Sequence, residues 1–284
     1  MLMKNYHFNL TGLRVLLRVP FAITVSDSLR PFLCPCHDET DCTITLRPSD
    51  QLPPFSADGI WHGPEYYDCH QGSLRTFHCK TPMSAAFAMT QHFENGNIEI
   101  HVLPDYLSYF TGTAGIFNRI GMETLLLQHH GMLLHASLIK YEGKALAFAG
   151  PSGAGKSTQA SIWHAFLGAD IINGDRAALR KRNDGWYAYG GPYAGTSGIY
   201  KDDHAPLSAI ILLEQGEENH LRRLSEAEAF GRIYQELSLH RWQKQFVEKA
   251  TDLCLQLLAQ IPVYLLKCRP DESAAMLVKK GLNL

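Results

Sequence analysis

A glycine-rich phosphate-binding motif in the second half of the chain constrains its fold more than any other feature. The motif matches the P-loop pattern G-x-x-x-x-G-K-[ST] with the residues Gly150, Pro151, Ser152, Gly153, Ala154, Gly155, Lys156, Ser157 and Thr158. An apolar stretch at 145–149, typical of a buried strand, precedes it, and a helical pattern at 158–167 follows it. Since a P-loop requires this strand–loop–helix context, we predict an α/β domain that binds a nucleoside triphosphate.

Each part of the motif has a chemical role in binding ATP with Mg²⁺. Glycines let the backbone wrap around a phosphate, and the loop amides then point at its oxygens. Lys156 is expected to bridge the β- and γ-phosphates, and the Ser157 hydroxyl is expected to ligate Mg²⁺. A second acid for the metal usually ends a neighbouring strand, and Asp175, after the apolar residues at 171–172, is the candidate. Asp170 is the weaker alternative, because it begins that strand.

Charge and composition restrict the other partners of the chain. The formal charge is −2 and Lys and Arg are spread along the sequence, which argues against the basic face of a nucleic-acid-binding protein. No run approaches the roughly 18–20 apolar residues of a membrane-spanning helix, and the first residues lack the pattern of a signal peptide. We therefore expect a cytoplasmic protein without a nucleic-acid or membrane partner.

Cysteines and histidines are concentrated near the beginning of the chain. The residues concerned are Cys34, Cys36, His37, Cys42, Cys69, His70, His78 and Cys79. Zinc takes tetrahedral sets of these side chains, but the C-x-C spacing of the first pair fits no standard zinc motif. Without a secretory signal, reduced thiols are the favoured interpretation, and a structural zinc site is the alternative.

The pattern of apolar residues divides the chain into a strand-rich part, 1–112, and an α/β part, 113–284. A helix over 115–128 is predicted to join them. Strands are predicted at 13–25, 42–46, 97–103 (after the turn signal Asn95-Gly96), 135–141, 144–149, 170–173, 208–213 and 263–268. A capping box formed by Ser225 and Glu228 predicts the start of a long helix, and a last helix is predicted after Pro270, with acids in its first turn.

Several segments of the second part resemble the HPr kinase/phosphorylase family, whose catalytic domain shares its fold with the ATP-dependent phosphoenolpyruvate carboxykinases. The similar segments are His135-Ala136-Ser137-Leu138-Ile139, the P-loop, Asp175-Arg176, 189–195, 205–214 and 263–272. They look most like the HPr-kinase-like proteins of peptide-modification gene clusters, which include lasso-peptide kinases that phosphorylate a serine of a precursor peptide. The resemblance implies an α/β fold, α+β overall, with a mixed sheet and flanking helices beside a smaller strand-rich N-terminal domain.

One position departs from the pattern of that family. In HPr kinases two adjacent aspartates follow the strand after the P-loop helix; the first is the base for the substrate serine and the second belongs to the metal site. The matching pair here is Gly174-Asp175, so the base is replaced by glycine. His135 is the best substitute, because the matching histidine of the family lies close to the phosphates. Alternatively, catalysis rests on positioning and charge stabilisation, or the protein binds nucleotide and catalyses little.

The favoured function is an ATP- and Mg²⁺-dependent kinase that phosphorylates a serine hydroxyl on a small peptide or protein. Its catalytic residues would be His135, Lys156 and Asp175, and residues 1–112 would recognise the substrate or mediate assembly. Because HPr kinases form hexamers, the resemblance allows a homo-oligomer for this chain. The alternatives are a phosphotransferase for free serine or an enol, and a non-catalytic ATP-binding recognition protein.

Three further features are candidates for contacts with phosphate or substrate: Arg176, Arg269 and the polar loop at 200–204. Structural ion pairs for the arginines and a solvated loop are the competing interpretations.

Overall fold

The computed structural model of the protein describes residues 2–36, 39–52, 96–239 and 244–284, together with the backbone of four strands between residues 61 and 92. The chain divides into two compact units, Met1–Met122 and Glu123–Leu284. The boundary predicted from the sequence, 112/113, lies within the first of these units, and the roles of the two parts stay predictions. Among the described residues, no helix has both the length and the apolar character needed to cross a membrane.

The first unit is built on a mixed sheet. Its strands are β1 (Lys4–Leu10), β2 (Leu13–Val19), β3 (Cys42–Pro48), β4 (Trp61–His62), β5 (Tyr66–Gln71), β6 (Leu74–Cys79), β7 (Phe87–His92) and β8 (Ile98–Val102). They lie in the order β1-β2-β3-β8-β7-β6-β5-β4, and the pairs β2–β3 and β3–β8 are parallel. The predicted half-buried strand is confirmed in β8, where Ile98, Ile100 and Val102 are buried. The turn signal at Asn95 falls outside the described residues.

The zinc hypothesis falls mostly outside the residues whose side chains are described, because Cys69, Cys79 and the three neighbouring histidines are not among them. No group of three metal-binding side chains comes together in the described part of the chain. Cys42 is buried, and its thiol donates to the Gly96 carbonyl at 2.9 Å. Burial raises the pKa of this thiol to about 12, which disfavours the thiolate that zinc would need.

The helix predicted over 115–128 is instead two short helices, α1 (Thr113–Phe117) and α2 (Met122–Gln128). The prediction of one continuous helix was wrong because the spacing of apolar residues does not report a break between them. Ile116 and Leu125 are fully buried on their separate helices. Gly121, a weak helix former, lies in the intervening turn.

The second unit combines strands and helices, as predicted for an α/β domain. Its strands are β9 (Gly131–Tyr141), β10 (Lys144–Ala149), β11 (Asp170–Asn173), β12 (Arg176–Arg182), β13 (Gly185–Tyr189), β14 (His204–Gln215), β15 (His220–Arg223) and β16 (Val263–Cys268). Its longer helices are α3 (Lys156–Leu167), α4 (Glu226–Glu236), α5 (Lys244–Leu258) and α6 (Glu272–Gly281). The capping box of Ser225 and Glu228 is confirmed at the start of α4.

Two long strands, β9 and β14, organise the sheet of this unit. The first half of β9 pairs with β12, and its second half pairs with β10 and β11. The first residues of β14 pair with β13, and the later ones pair in parallel with β10 and β16. His135 therefore lies where β9 changes partner, next to the loop that follows β10.

Helices cover both faces of the parallel strands. Leu146, Phe148 and Ile211 pack into one buried cluster with residues of α3 and α6. On the other face, Ile210 and Leu212 pack with residues of α4 and α5. Alternate residues of a strand point to opposite faces, so two cores form on one sheet. The predicted α/β class, with a mixed sheet and flanking helices, is confirmed.

Asp271 is the N-cap of α6 rather than a residue of its first turn, and its contacts predict a pH-dependent stability. Its carboxylate accepts from the Ser273 hydroxyl, the Asn219 amide and the Ala274 backbone N–H, and these bonds lower its pKa to about 2. A depressed carboxyl pKa stabilises the fold above the ordinary value of 3.8, and this contribution is lost as the pH falls toward about 2. Asp271→Asn should therefore lower the urea midpoint at neutral pH and should approach the wild type on acidification.

Asp252→Asn is the matched control, because Asp252 is an exposed acid on α5. The control should follow the wild type across the whole pH range. A gap between wild type and Asp271→Asn that stays constant down to the lowest pH at which both still fold would contradict the assignment.

Candidate functional site

The P-loop lies between β10 and α3 and is supported from behind by β14. Gly150 has a φ of 143°, and a Cβ there would lie 3.2 Å from the Leu213 carbonyl oxygen. Gly155 precedes the helix with a φ of 101°, in the left-handed region that favours glycine. The sequence therefore builds the strand–loop–helix context that the motif requires, with the amino terminus of α3 open to an anion.

Lys156 is the first residue of α3, and its side chain folds back over the loop. Only 8% of the residue is exposed, and the ammonium donates to the carbonyls of Gly150 at 2.7 Å and Pro151 at 3.2 Å. Burial lowers the pKa of Lys156, while the negative charges of Glu236 and Asp175 oppose this shift. The lysine is thus a buried cation at the edge of the loop, within the electrostatic influence of two carboxylates.

Asp175 follows β11 and is held there by a turn around Asn173. The Asn173 side chain is fully buried; its oxygen accepts from the N–H groups of Asp175 at 2.9 Å and Arg176 at 2.8 Å. The carbonyl of Asp175 also accepts from the N–H of Ala136 on β9, at 2.9 Å. Asp170 lies at the other end of β11, where it pairs with Lys201 at 3.1 Å.

His135 stands between two carboxylates. Its Nε2 is 3.4 Å from an oxygen of Asp175, and its Nδ1 is 3.2 Å from an oxygen of Glu236. The imidazole is 37% exposed, whereas the side chain of Glu236 is only 13% exposed. This group of acid, histidine and acid lies next to the P-loop, because β9 and β10 are neighbours in the sheet.

One cavity of about 320 Å³ collects most of the predicted residues. Its lining is His135, Ser152, Gly153, Gly155, Lys156, Ser157, Thr158, Gly174, Asp175, Ala194, Thr196 and Ser197. A second cavity of about 340 Å³ shares Gly153, Gly155 and Thr158 with it and continues past Gln159, Gln215, Cys268 and Pro270. The P-loop is thus open to ligands from two adjoining spaces.

The model of one protein family, described as SynChlorMet cassette protein ScmC, matches residues 121–271, which is more than half of the chain. The protein belongs to the ScmC family. Among solved structures, the HPr(Ser) kinase/phosphatase from Coxiella burnetii is similar at 11% identity with a TM-score of 0.32, over 53% of this chain and 88% of that chain. So remote a likeness says nothing about activity. No curated protein matches the chain.

The region matched to the ScmC family contains every residue of the cavity, and it also contains Gly174. A Cβ at Gly174 would lie 2.0 Å from the hydroxyl oxygen of Ser197 and 2.4 Å from its Cβ. That hydroxyl donates to the Ala194 carbonyl at 2.6 Å and accepts from the Ile199 N–H at 3.2 Å. Ser197 therefore fills the space that a side chain at position 174 would need.

The other sequence candidates have structural partners. Arg176 donates to the Ser238 hydroxyl at 3.1 Å and lies 3.6 Å from Asp175. Arg269 pairs with Asp271 at 3.0 Å. In the loop at 200–204, Lys201 donates its N–H to Ile172, and Asp203 pairs with Lys140. Neither of the two arginines lines either of the two cavities described above, and the loop at 200–204 does not line them either.

Two residues of the candidate site, Glu236 and Ser197, were not predicted from the sequence. Glu236 is the last residue of α4, and 101 positions separate it from His135. The capping box predicted where α4 begins, but no motif predicted where its other end would lie. The sequence pointed to Ser197 only indirectly. The absence of a side chain at Gly174 left a space beside it, and Ser197 fills that space.

Proposed function

We propose that the protein is an ATP- and Mg²⁺-dependent kinase that transfers the γ-phosphoryl group to a serine hydroxyl of a small peptide or protein in the cytoplasm. One observation carries the proposal: Lys156, Ser157, Asp175 and His135 line a single cavity at the P-loop. A phosphate site, a metal-binding pair and a group able to accept a proton are the parts that phosphoryl transfer needs.

The phosphate end of the nucleotide is assigned to the loop and the start of α3. Backbone amides at the amino terminus of a helix favour an anion, and the loop glycines let these amides approach it closely. Lys156 would exchange its bonds to the Gly150 and Pro151 carbonyls for bonds to phosphate oxygens. A partly desolvated ammonium is suited to this exchange, because a phosphate would supply negative charge in place of the water that burial removed.

Ser157 and Asp175 fit a magnesium ion. Both line the same cavity, and Mg²⁺ prefers a few oxygen ligands of this kind together with phosphate oxygens and water. The carboxylate of Asp175 is 29% exposed on the side chain, so it is held in place without being sealed from solvent. When bound, the ion would neutralise charge on the phosphates during transfer.

His135 is assigned to the acceptor. The oxygen of the substrate hydroxyl would form a bond to the γ-phosphorus. The bond between that phosphorus and the oxygen that bridges the β- and γ-phosphates would break, and ADP would leave. The hydroxyl proton would pass to Nε2 of His135, since this nitrogen is 3.4 Å from Asp175 and both residues line the cavity. Position 174, which carries the base in HPr kinases, has no side chain to do this.

The second cavity is assigned to the nucleoside. It adjoins the phosphate cavity through Gly153, Gly155 and Thr158, so a nucleotide could extend from one space into the other around the loop. Its walls include both polar and apolar groups, which suits a ribose and a planar base. The choice of a peptide over a small acceptor rests on the resemblance to lasso-peptide kinases alone. The first unit would then recognise that peptide or assemble the enzyme.

A non-catalytic ATP-binding recognition protein is the second candidate. Gly174 favours it, because Ser197 fills the position of the missing base. Such a protein would bind Mg-ATP at the same cavity without transferring phosphate. A phosphotransferase for free serine or an enol would transfer it with no requirement for a peptide.

The two candidates are separated by a transfer assay. The full chain is incubated with Mg-ATP and a panel of serine-containing peptides, HPr-type protein, free serine and oxaloacetate, and each acceptor is examined by mass spectrometry. We expect a mass gain of one phosphoryl group on a peptide or protein. Phosphate on free serine or on an enol alone would support the small-molecule enzyme. Mg-ATP binding by calorimetry with no product on any acceptor would support the recognition protein.

A further inference from the structure

We propose that Glu236 is a positioning residue that orients His135 for proton transfer. In this arrangement Nδ1–H of His135 donates to the Glu236 carboxylate, and Nε2 keeps its lone pair toward the cavity. The inference rests on the proposed kinase function and explains how a chain with glycine at position 174 would still hold a proton acceptor at the phosphate site.

The fold fixes Glu236 beside His135 through the backbone. Immediately after α4, Leu237 forms an isolated antiparallel bridge with Leu134, and the N–H of Ser238 donates to the Leu133 carbonyl at 3.0 Å. The end of the helix is therefore attached to β9 one residue away from the histidine. Leu237 is itself buried, at 4% exposure, so this attachment belongs to the core.

The contact between the two side chains has a direction set by chemistry. An ionised carboxylate only accepts hydrogen bonds, and a neutral imidazole carries one N–H. Glu236 is closer to the ring than Asp175, at 3.2 Å against 3.4 Å, and it is the more buried acid. The contact of Nδ1 with Glu236 has hydrogen-bond geometry and would satisfy this partly buried carboxylate, so the ring proton is assigned to the nitrogen that faces Glu236.

Asp175 competes weakly for the same proton. Its other carboxylate oxygen lies 3.6 Å from the Arg176 guanidinium, which supplies a second positive partner. Asp175 is also assigned to the metal, an engagement that would draw its oxygens away from the imidazole. With the proton on Nδ1, the acceptor hydroxyl can pass its own proton to Nε2 as its oxygen bonds to phosphorus and ADP leaves. A carboxylate behind the ring also stabilises the imidazolium that forms.

Two substitutions of Glu236 separate a hydrogen-bonding role from a charge. Glu236→Ala removes the acceptor and should lower kcat by about 10²-fold, with KM for ATP nearly unchanged. Glu236→Gln keeps an oxygen that can accept from Nδ1–H but loses the negative charge, so its kcat should lie between that of Glu236→Ala and that of the wild type. Glu226→Gln is the matched control, because Glu226 is an exposed acid at the opposite end of α4. The control should match the wild type.

A double variant tests whether Glu236 acts through the histidine. If it does, His135→Ala combined with Glu236→Ala should be no slower than His135→Ala alone, because residues that act as a unit are not additive. A double variant slowed by the product of the two single effects would overturn the inference. So would a rise of about tenfold in the Mg²⁺ concentration needed for half-maximal rate in Glu236→Ala, because Glu236 would then be a metal ligand.

A measurement without turnover distinguishes failure of this inference from failure of the proposed function. The ring nitrogens of His135, assigned by their loss in His135→Ala, are observed by NMR in the wild type and in Glu236→Ala. We expect the proton on Nδ1 in the wild type and a shift toward the Nε2–H form in the variant. If this holds and no acceptor is phosphorylated, the kinase proposal fails and the positioning of His135 stands. Transfer with an unchanged tautomer would leave the kinase proposal standing and reject the role of Glu236.

Discussion

Replacing Lys156 with Met is expected to lower kcat/KM for phosphoryl transfer by about 10³-fold while the chain stays folded. The ammonium is buried at the edge of the P-loop and is the strong cation among the residues that line the phosphate cavity. Without this ammonium, the negative charge of the transferred phosphoryl group would have no positively charged side chain of α3 to stabilise it. Methionine keeps most of the apolar stem, so the volume packed under the loop changes little.

The stability of this variant should change far less than its activity. Lys156 loses hydrogen bonds to two loop carbonyls, at a cost of no more than about 2 kcal/mol. Lys144→Met is the matched control, because Lys144 is an exposed lysine at the far end of the strand that leads into the loop. Steady-state kinetics and urea unfolding, carried out on both variants, separate the two effects. If the Lys156→Met variant turned over at the wild-type rate, the proposed role of the P-loop in phosphoryl transfer would be wrong.

Gly174→Asp is expected to destabilise the protein by about 1–3 kcal/mol instead of restoring the base found in HPr kinases. The new Cβ would lie 2.4 Å from the Cβ of Ser197, and that short side chain cannot move away without its backbone. Ser197 is held by hydrogen bonds to Ala194 and Ile199, so a shift would also break these.

A second substitution at position 197 tests whether space is the cause. Ser197→Gly removes both atoms that would collide with the new side chain, so most of the added cost of Gly174→Asp should disappear in that background. Ser197→Ala is the intermediate case, because it removes the hydroxyl oxygen at 2.0 Å but keeps the Cβ at 2.4 Å, so it should give less relief than Ser197→Gly. The quantity to compare is the change in the free energy of unfolding caused by Gly174→Asp in each of the three backgrounds. Equal changes in all three would show that the glycine is required for another reason.

Local elements were predictable from sequence because each has its own chemical signature. The strands predicted at 135–141 and 144–149 form the hairpin of β9 and β10, which turns at Glu142 and Gly143, both with positive φ. The helical pattern predicted at 158–167 lies in α3, which is capped by Gly168 with a φ of 68°. The strand at 263–268 was likewise confirmed with its bounds.

Long-range arrangement was not predictable in the same way. The hairpin of β12 and β13 lacks a strict alternation of apolar residues, so its sequence does not predict two strands. Glu236 becomes a neighbour of His135 only because α4 ends against β9, and Ser197 meets Gly174 through a turn with no periodic pattern. The motif therefore predicted the loop that lines the cavity, whereas the other residues around it depend on the tertiary fold.

The parallel pairing of β10 with β14 has a consequence for the order in which the protein acquires its structure. Parallel neighbours need a long crossover, and here α3, β11, β12 and β13 lie between the two strands in the chain. During synthesis the glycine-rich loop emerges well before the strand whose Leu213 backbone supports Gly150, and before the helix that ends at Glu236. The nascent chain therefore carries the entire P-loop motif while it still lacks the partners that give the loop its shape. A nucleotide bound at the loop, as proposed above, would stabilise the folding domain only late in translation, and before that stage the exposed apolar strand β10 would need protection from aggregation.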